Sequence, residues 1–203
     1  MPPHIRIYDV TQNISSMLPV YPGDPGFSRE VLKSLEWGDP YTLSALHLSA
    51  HAGTHIDAPS HFIRGGRSVH EIPIERLIMM VDLIDSGTVV SPENLSGLNP
   101  LAEGVIFRTG SLTGYLSEGA ARACVDRRLK LIGTDALSVD SSEEDAVHRL
   151  LLSNDMLILE GLYLEGVPAG VHTLLCMPLK IEGAEASPVR AILAPAEWHQ
   201  WIL

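Results

Sequence analysis

Four histidines and an aspartate crowd into one short stretch: His47, then His51-Ala-Gly-Thr-His55-Ile-Asp57-Ala-Pro-Ser-His61. Imidazole nitrogen and carboxylate oxygen are donors that zinc takes, at bonds of roughly 2 Å. The chemistry on offer is metal-assisted hydrolysis. A bound ion polarises a carbonyl and brings the pKa of water to about 7, and a spare histidine carries protons.

Whether these donors can meet depends on the backbone. On a helix His51 and His55 would share a face, but Asp57 would point away from both. Gly53 and Pro59 also disfavour a helix. On an extended chain the odd positions share one face, so His51, His55, Asp57 and His61 point the same way. A straight strand would nevertheless hold the Cα atoms of His51 and His55 roughly 13 Å apart, about the limit for sharing one ion. The chain must bend, and Gly53 is the residue able to bend it. The expectation is a strand ending near Ser49, followed by a kinked loop that gathers the donors. His47 is out of register with that loop and is left out of the site.

Two further donors stand downstream. Glu160 closes the apolar run Met156-Leu-Ile-Leu-Glu160. Either it is buried beside a cation that offsets its desolvation, or it sits at a strand end facing water. His148 lies on a helix before that strand, near the edge of its apolar stripe, where it could be a surface residue or a ligand. A helix and the strand after it could bring the two together at one end of a sheet.

The elements that must position these groups are mostly strands. Ile5–Val10 and Thr42–Ser49 alternate. Leu77–Ile84, Gly104–Arg108, Leu129–Ile132 and Met156–Leu159 read as buried strands. Leu174–Ile181 and Val189–Leu193 read as a pair joined by a turn. Pro19–Phe27 is a Pro/Gly loop. Ser91 with Pro92, Ser117 to Arg127, and Ser141 with Glu144 to about Leu152 carry helix-start signals. The expected fold class is α/β, a mixed sheet with a few flanking helices in one domain spanning 1–203.

Composition removes other classes. The chain has 203 residues and a formal charge of −11, with its fourteen basic residues scattered, which argues against a nucleic-acid partner. No apolar run reaches the roughly 18–20 residues that span a bilayer, so no membrane partner is expected. The N-terminus lacks a secretion signal, and the expected location is cytoplasmic. Cys124 and Cys176 read as buried thiols. A G-x-S-x-G elbow and an H-E-x-x-H helix are both missing from the sequence.

The motif from His51 to His61 resembles the HxGTHxDxPxH pattern of the bacterial kynurenine formamidase and cyclase family of metal-dependent hydrolases. His148 with Leu159-Glu160-Gly161-Leu162 is similar to the family as well. So are Pro22-Gly23-Asp24-Pro25, Gly133-Thr134-Asp135 with Ser138-Val139-Asp140, and Pro178–Ala184 with Ser187–Ala191. The resemblance covers nearly the whole chain. It implies a swivelling β/β/α fold with a partly barrel-like sheet, assembled as a homodimer or larger homo-oligomer. His51, His55, Asp57, His148 and Glu160 are the implied metal ligands, with Asp57 bridging two zinc ions (or Mn2+), and His61 is the implied acid/base.

The implied activity is arylformamidase on a small-molecule substrate, within tryptophan catabolism. Tyr21 stands where the formamidases carry a substrate-contacting tryptophan, so the ring is kept and the pocket shape is altered. A lactone or cyclic-imide (isatin-type) hydrolase is the alternative reaction. A non-catalytic metal-binding protein is the alternative class, disfavoured by the spare His61. Arg64 and Arg67 could hold a substrate carboxylate or be solvated loop residues.

Overall fold

The structure is a computed structural model that describes residues 6–141 and 145–202. In chain order, β1 (Tyr8–Asp9) precedes an outlying ribbon of β2 (Ser28–Lys33) and β3 (Leu43–His47). Then come β4 (His55–Asp57), β5 (Ile78–Asp85), β6 (Val89–Val90), β7 (Gly104–Arg108) and β8 (Tyr115–Leu116). Helix α1 (Glu118–Asp126), β9 (Leu131–Thr134), α2 (Ala146–Ser153) and β10 (Leu157–Glu160) follow. The chain ends with β11 (Gly170–Pro178), β12 (Ala186–Pro195) and the short α3 (His199–Ile202).

Seven strands close on themselves in the order β12, β11, β5, β7, β9, β10, β4 and back to β12. Strands β5, β7, β9 and β10 are parallel neighbours, and the other pairings in the ring are antiparallel. Strand β12 is long enough to pair with β4 through Ala186–Pro188 and with β1 through Ile192 and Leu193. The mixed α/β class and barrel-like sheet expected from the sequence are observed.

Several boundaries differ from expectation. The first strand narrows to Tyr8–Asp9, and Ile5 lies outside the described residues. Ser28–Lys33, not anticipated as a strand, pairs with β3. Helix α2 opens only at Ala146, and Glu144 of the expected capping box lies outside the described residues. Asp140 holds this helix start instead, its carboxylate accepting the backbone N–H groups of Val147 at 2.8 Å and His148 at 2.9 Å. An anion there also complements the helix dipole.

Alternation along the strands creates two cores. Ile106, Leu131, Leu157 and Leu159 pack inside the ring with Ile56, Val81 and Leu174. Their neighbours Val105, Phe107, Ile132 and Ile158 face outward, where α1 and α2 cover them. Because Ile56 points inward, His55 and Asp57 on either side of it must point outward. In the β4–β10 register His55 pairs with Glu160 and Asp57 with Ile158, so all four share the outer face beneath α2.

Just past β10, Gly161 has φ +65°, and a Cβ there would sit 3.0 Å from the Gly53 carbonyl carbon and closer still to its oxygen. Only glycine lets the two backbones approach this closely. Gly161→Ala should therefore cost on the order of 1–3 kcal/mol of stability from strain and collision. Urea unfolding of the chelator-treated protein checks this, and a change within about 0.5 kcal/mol, ordinary for a surface site, would contradict it.

Candidate metal centre

The segment from His51 to His61 bends where the sequence requires. Strand β3 ends at His47, and Gly53 takes φ +66°, turning the chain before it re-enters the sheet as β4. The expected kinked loop is thus interrupted by a three-residue strand. Thr54 fixes the turn by donating its hydroxyl to the Gly161 carbonyl at 2.7 Å and accepting the Gln12 N–H at 2.9 Å. Pro59 then opens a 3₁₀ turn that delivers His61, whose N–H donates to the Ala58 carbonyl at 3.0 Å.

Each of three histidines has one nitrogen turned to its own acceptor. His55 Nδ1 lies 2.9 Å from the Gly53 carbonyl oxygen, and His148 Nδ1 lies 2.6 Å from Asp140 Oδ2. His51 Nε2 faces Glu185 Oε1 at 3.5 Å. A carbonyl and an ionised carboxylate only accept, so the Nδ1 atoms of His55 and His148 carry protons. The opposite nitrogens are left to turn toward a common centre, which is how metal-ligating histidines are oriented.

That centre is lined by two buried carboxylates. Asp57 Oδ1 is 3.0 Å from His51 Nδ1 and 3.5 Å from His55 Nε2. Glu160 is 3.3 Å from both His55 Nε2 and His148 Nε2, and Asp57 Oδ2 is 3.5 Å from His148 Nε2. His55 Nε2 and both Asp57 oxygens are buried without a hydrogen-bond partner. Buried polar atoms are seldom left so. A divalent cation fits this donor set, which is nitrogen and carboxylate oxygen throughout. Two overlapping groups of donors are close enough to hold an ion, His55–Asp57–Glu160 and His51–Asp57–His61, and Asp57 belongs to both.

Electrostatics agree with the geometry. Burial opposes charge on His55, but Asp57 and Glu160 outweigh it and push its pKa up to about 9. Burial likewise opposes charge on His148, yet Glu160, Asp140 and Asp57 push it up to about 12. Asp57 is held well below the usual carboxylate range, because His55, His148 and His51 overcome its burial. His61 moves the other way. Burial, reinforced by like charge on His51 and His148, lowers its pKa despite Asp57, so its imidazole is neutral at pH 7.

A cleft of about 210 Å³ opens over the centre, with Tyr21, Asp24, Phe62 and Ser138 in its walls and His51, His61, His148 and Glu160 at its base. A cavity of roughly 150 Å³ suffices for benzene. The His61 ring lies 4.3 Å from that of His51, and Phe62 stacks on His148 at 4.9 Å.

Every ligand candidate named from the sequence is therefore in one place, with Tyr21 and His61 on the same cleft. His148 and Glu160 are buried rather than solvent-facing. His47 is exposed, 3.6 Å from Glu30. Of the two readings of the arginines, the loop-residue one fits: neither Arg64 nor Arg67 lines the cleft, and Arg67 turns to Asp155 at 3.3 Å. Asp140 and Glu185, the acceptors behind His148 and His51, went unrecognised as site residues. No local spacing marks them, although Asp140 belonged to a stretch similar to the family.

The Cyclase family model, described as "Putative cyclase", matches residues 8–141. A kynurenine formamidase of Bordetella petrii is 32% identical over 206 residues, covering 93% of this chain and 97% of its own. One from Salinibacter ruber is 34% identical over 209 residues, covering 95% and 99%. A solved structure described as a predicted metal-dependent hydrolase from Bacillus stearothermophilus is 30% identical, with a TM-score of 0.80 over 94% of this chain and 98% of its own. Isatin hydrolase A from Labrenzia aggregata shares the fold, with a TM-score of 0.81 at 23% identity over 95% of this chain and 94% of its own.

Metal uptake should release protons, because His55 and His148 are protonated at pH 7 without the ion and must be neutral to ligate it. Apparent zinc affinity should rise with pH between 6 and 8, by about tenfold per unit or more. Calorimetry in buffers of differing ionisation enthalpy measures this. Binding that is independent of pH and of buffer would exclude these histidines as ligands.

Proposed function

The chain belongs to the Cyclase family, and from that premise we propose that it is a metal-dependent hydrolase of small aryl amides, an arylformamidase. The observation carrying this reading is the convergence of three outwardly pinned histidines on buried Asp57 and Glu160, beside a neutral His61 in a ring-walled cleft. Similarity to kynurenine formamidases along most of the chain supports the C–N bond as the target.

In this reading His51, His55, Asp57, His148 and Glu160 hold the ions, zinc in preference to manganese. Asp57, which belongs to both candidate donor groups, would be available to a second ion as well as the first. Bound zinc supplies Lewis acidity toward the carbonyl and acidifies water to a pKa of about 7. The chain's own residues do the rest. His61 accepts the proton of the attacking water and returns it to the leaving amine nitrogen, a role suited to an imidazole that is neutral at pH 7. Tyr21 and Phe62 flank the cleft and orient an aryl ring, while Asp140, Glu185 and the Gly53 carbonyl hold the ligand rings in place.

The proposal extends to N-formylkynurenine-like substrates of tryptophan catabolism and to one functional domain over 1–203. It also takes in a homodimer or larger assembly of a cytoplasmic chain with two unpaired buried thiols. Cyclic-imide hydrolysis is the second reading, favoured by the fold shared with isatin hydrolase and by Tyr21 in the cleft wall.

Two outcomes are expected. In a panel of N-formyl anilines, cyclic imides and lactones, the formyl anilines are hydrolysed fastest, and chelator abolishes turnover. No chelator-sensitive hydrolysis of any member would reject the enzyme reading in favour of a metal-binding protein. His61→Ala should lower kcat by about 10²–10⁴-fold while metal per chain stays unchanged. Loss of metal in that variant would make His61 a ligand rather than the proton carrier.

A further inference from the structure

The cleft wall opposite the ion centre carries a charge that the chemistry above leaves unused. Three carboxyl groups line the cleft: Asp24, Asp145 and Glu160. Glu160 faces His55 and His148. Asp145 is taken by Arg149, which reaches its Oδ2 from Nε at 3.1 Å and from Nη2 at 2.7 Å. Asp24 differs. Its Oδ2 accepts the Ser49 hydroxyl at 3.0 Å, while its Oδ1 has no hydrogen-bond partner and no cationic side chain pairs with it among the described residues. Asp24 is half-buried, and it is not among the donors that meet at the ion centre. A carboxylate so placed gives up hydration for no internal partner, a cost that a cationic ligand removes.

The bond to Ser49 does not account for the charge. The amide oxygen of an asparagine would accept that hydroxyl as well. Position adds a second reason. The Asp24 N–H donates to the Tyr21 carbonyl at 3.0 Å, closing a turn that sets the carboxylate and the Tyr21 ring on one wall. A group that flanks an aryl ring and a group that attracts a cation beside it thus arrive on one tight turn.

The opposite charge is missing. Among the described residues no lysine or arginine lines the cleft. Arg149 lies 5.2 Å over the Phe62 ring but is held by Asp145. The chain as a whole carries −11, which disfavours an approaching anion further.

We propose, resting on the hydrolase reading above, that Asp24 selects the substrate: its Oδ1 accepts from a cationic amine carried on a short arm of the aryl ring. The substrate class is an N-formyl aniline with an alkylammonium arm. A carboxylate on that arm meets no partner among the described residues of the cleft and adds nothing to recognition.

The test takes the zinc-loaded enzyme and three N-formyl anilines that carry aminomethyl, hydroxymethyl or carboxylate at the same ring position. One charge-assisted hydrogen bond at a half-buried site should favour aminomethyl over hydroxymethyl by about tenfold in kcat/KM, with the carboxylate below both. Added salt should narrow the spread. Asp24→Asn keeps an acceptor for Ser49 and should bring the aminomethyl-to-hydroxymethyl ratio to about one. Ser49→Ala keeps the charge and should leave the ratio well above that. A wild-type ratio near unity, or a ratio that survives Asp24→Asn, overturns the proposal. So does an equal collapse in Ser49→Ala, which would make the shape of the wall the cause. Calorimetry with the formyl-free products, aminobenzylamine and aminobenzyl alcohol, reads the same ratio as affinity without turnover. If no formyl aniline is hydrolysed, the affinity ratio still decides on Asp24. If all are hydrolysed without preference, Asp24 fails and the reaction stands.

Discussion

Two buried carboxylates on adjacent strands set the terms for the rest of the molecule. Asp57 and Glu160 are both buried and share the same outer face of the β4–β10 pair. Like charges at this spacing, out of water, are strongly unfavourable unless positive charge is brought in with them. The histidines do that with protons when no ion is bound, which is why their pKa values climb while those of both carboxylates fall. A divalent ion does it better, because it takes the lone pairs of several donors at once. The site holds together only as a set, since removing one partner leaves another buried charge uncompensated.

The barrel exists, in this sense, to fix one register. With a side-chain period of two, a single-residue slip of β4 against β10 would send His55 and Asp57 into the apolar interior and push Ile56 out beneath α2. Ring closure removes that freedom. Strand β4 is only three residues long, but it is paired on both sides, with β10 and with β12. Val189 N–H to the Thr54 carbonyl and Ala58 N–H to the Glu185 carbonyl extend the clamp beyond its ends. The loop carrying that second carbonyl also supplies the Glu185 side chain facing His51, so sheet closure and ligand orientation are one event.

The sequence made the donors legible and left their supports hidden. His51, His55, Asp57 and His61 could be read together because strand parity and a bending glycine are local properties. Gly53 takes the left-handed conformation that this reading demanded. Glu160 and His148 could not be settled by local reasoning: whether a strand-end carboxylate is buried depends on what crosses above it, here α2 and the returning β4. Asp140 and Glu185 were harder still. Each meets its histidine through tertiary packing, and a lone acidic residue in a loop carries no pattern. Arg67 stayed open for the converse reason, since a cation close in sequence to the motif finds its partner, Asp155, just past the end of α2.

The two sides of the cleft obey different constraints, and this bears on how one fold can serve several substrates. The ion side is made of strand and helix residues whose positions are set by sheet pairing and buried hydrogen bonds. The opposite wall, from Pro19 to Asp24, is a loop secured by little more than the Tyr21–Asp24 turn and the Ser49–Asp24 bond. Loops on a rigid scaffold change with small effect on the core. The donor residues can thus stay fixed while that wall varies. The cleft joins a loop wall carrying Tyr21, free to vary, to a rigid base built on the strands of Asp57 and Glu160.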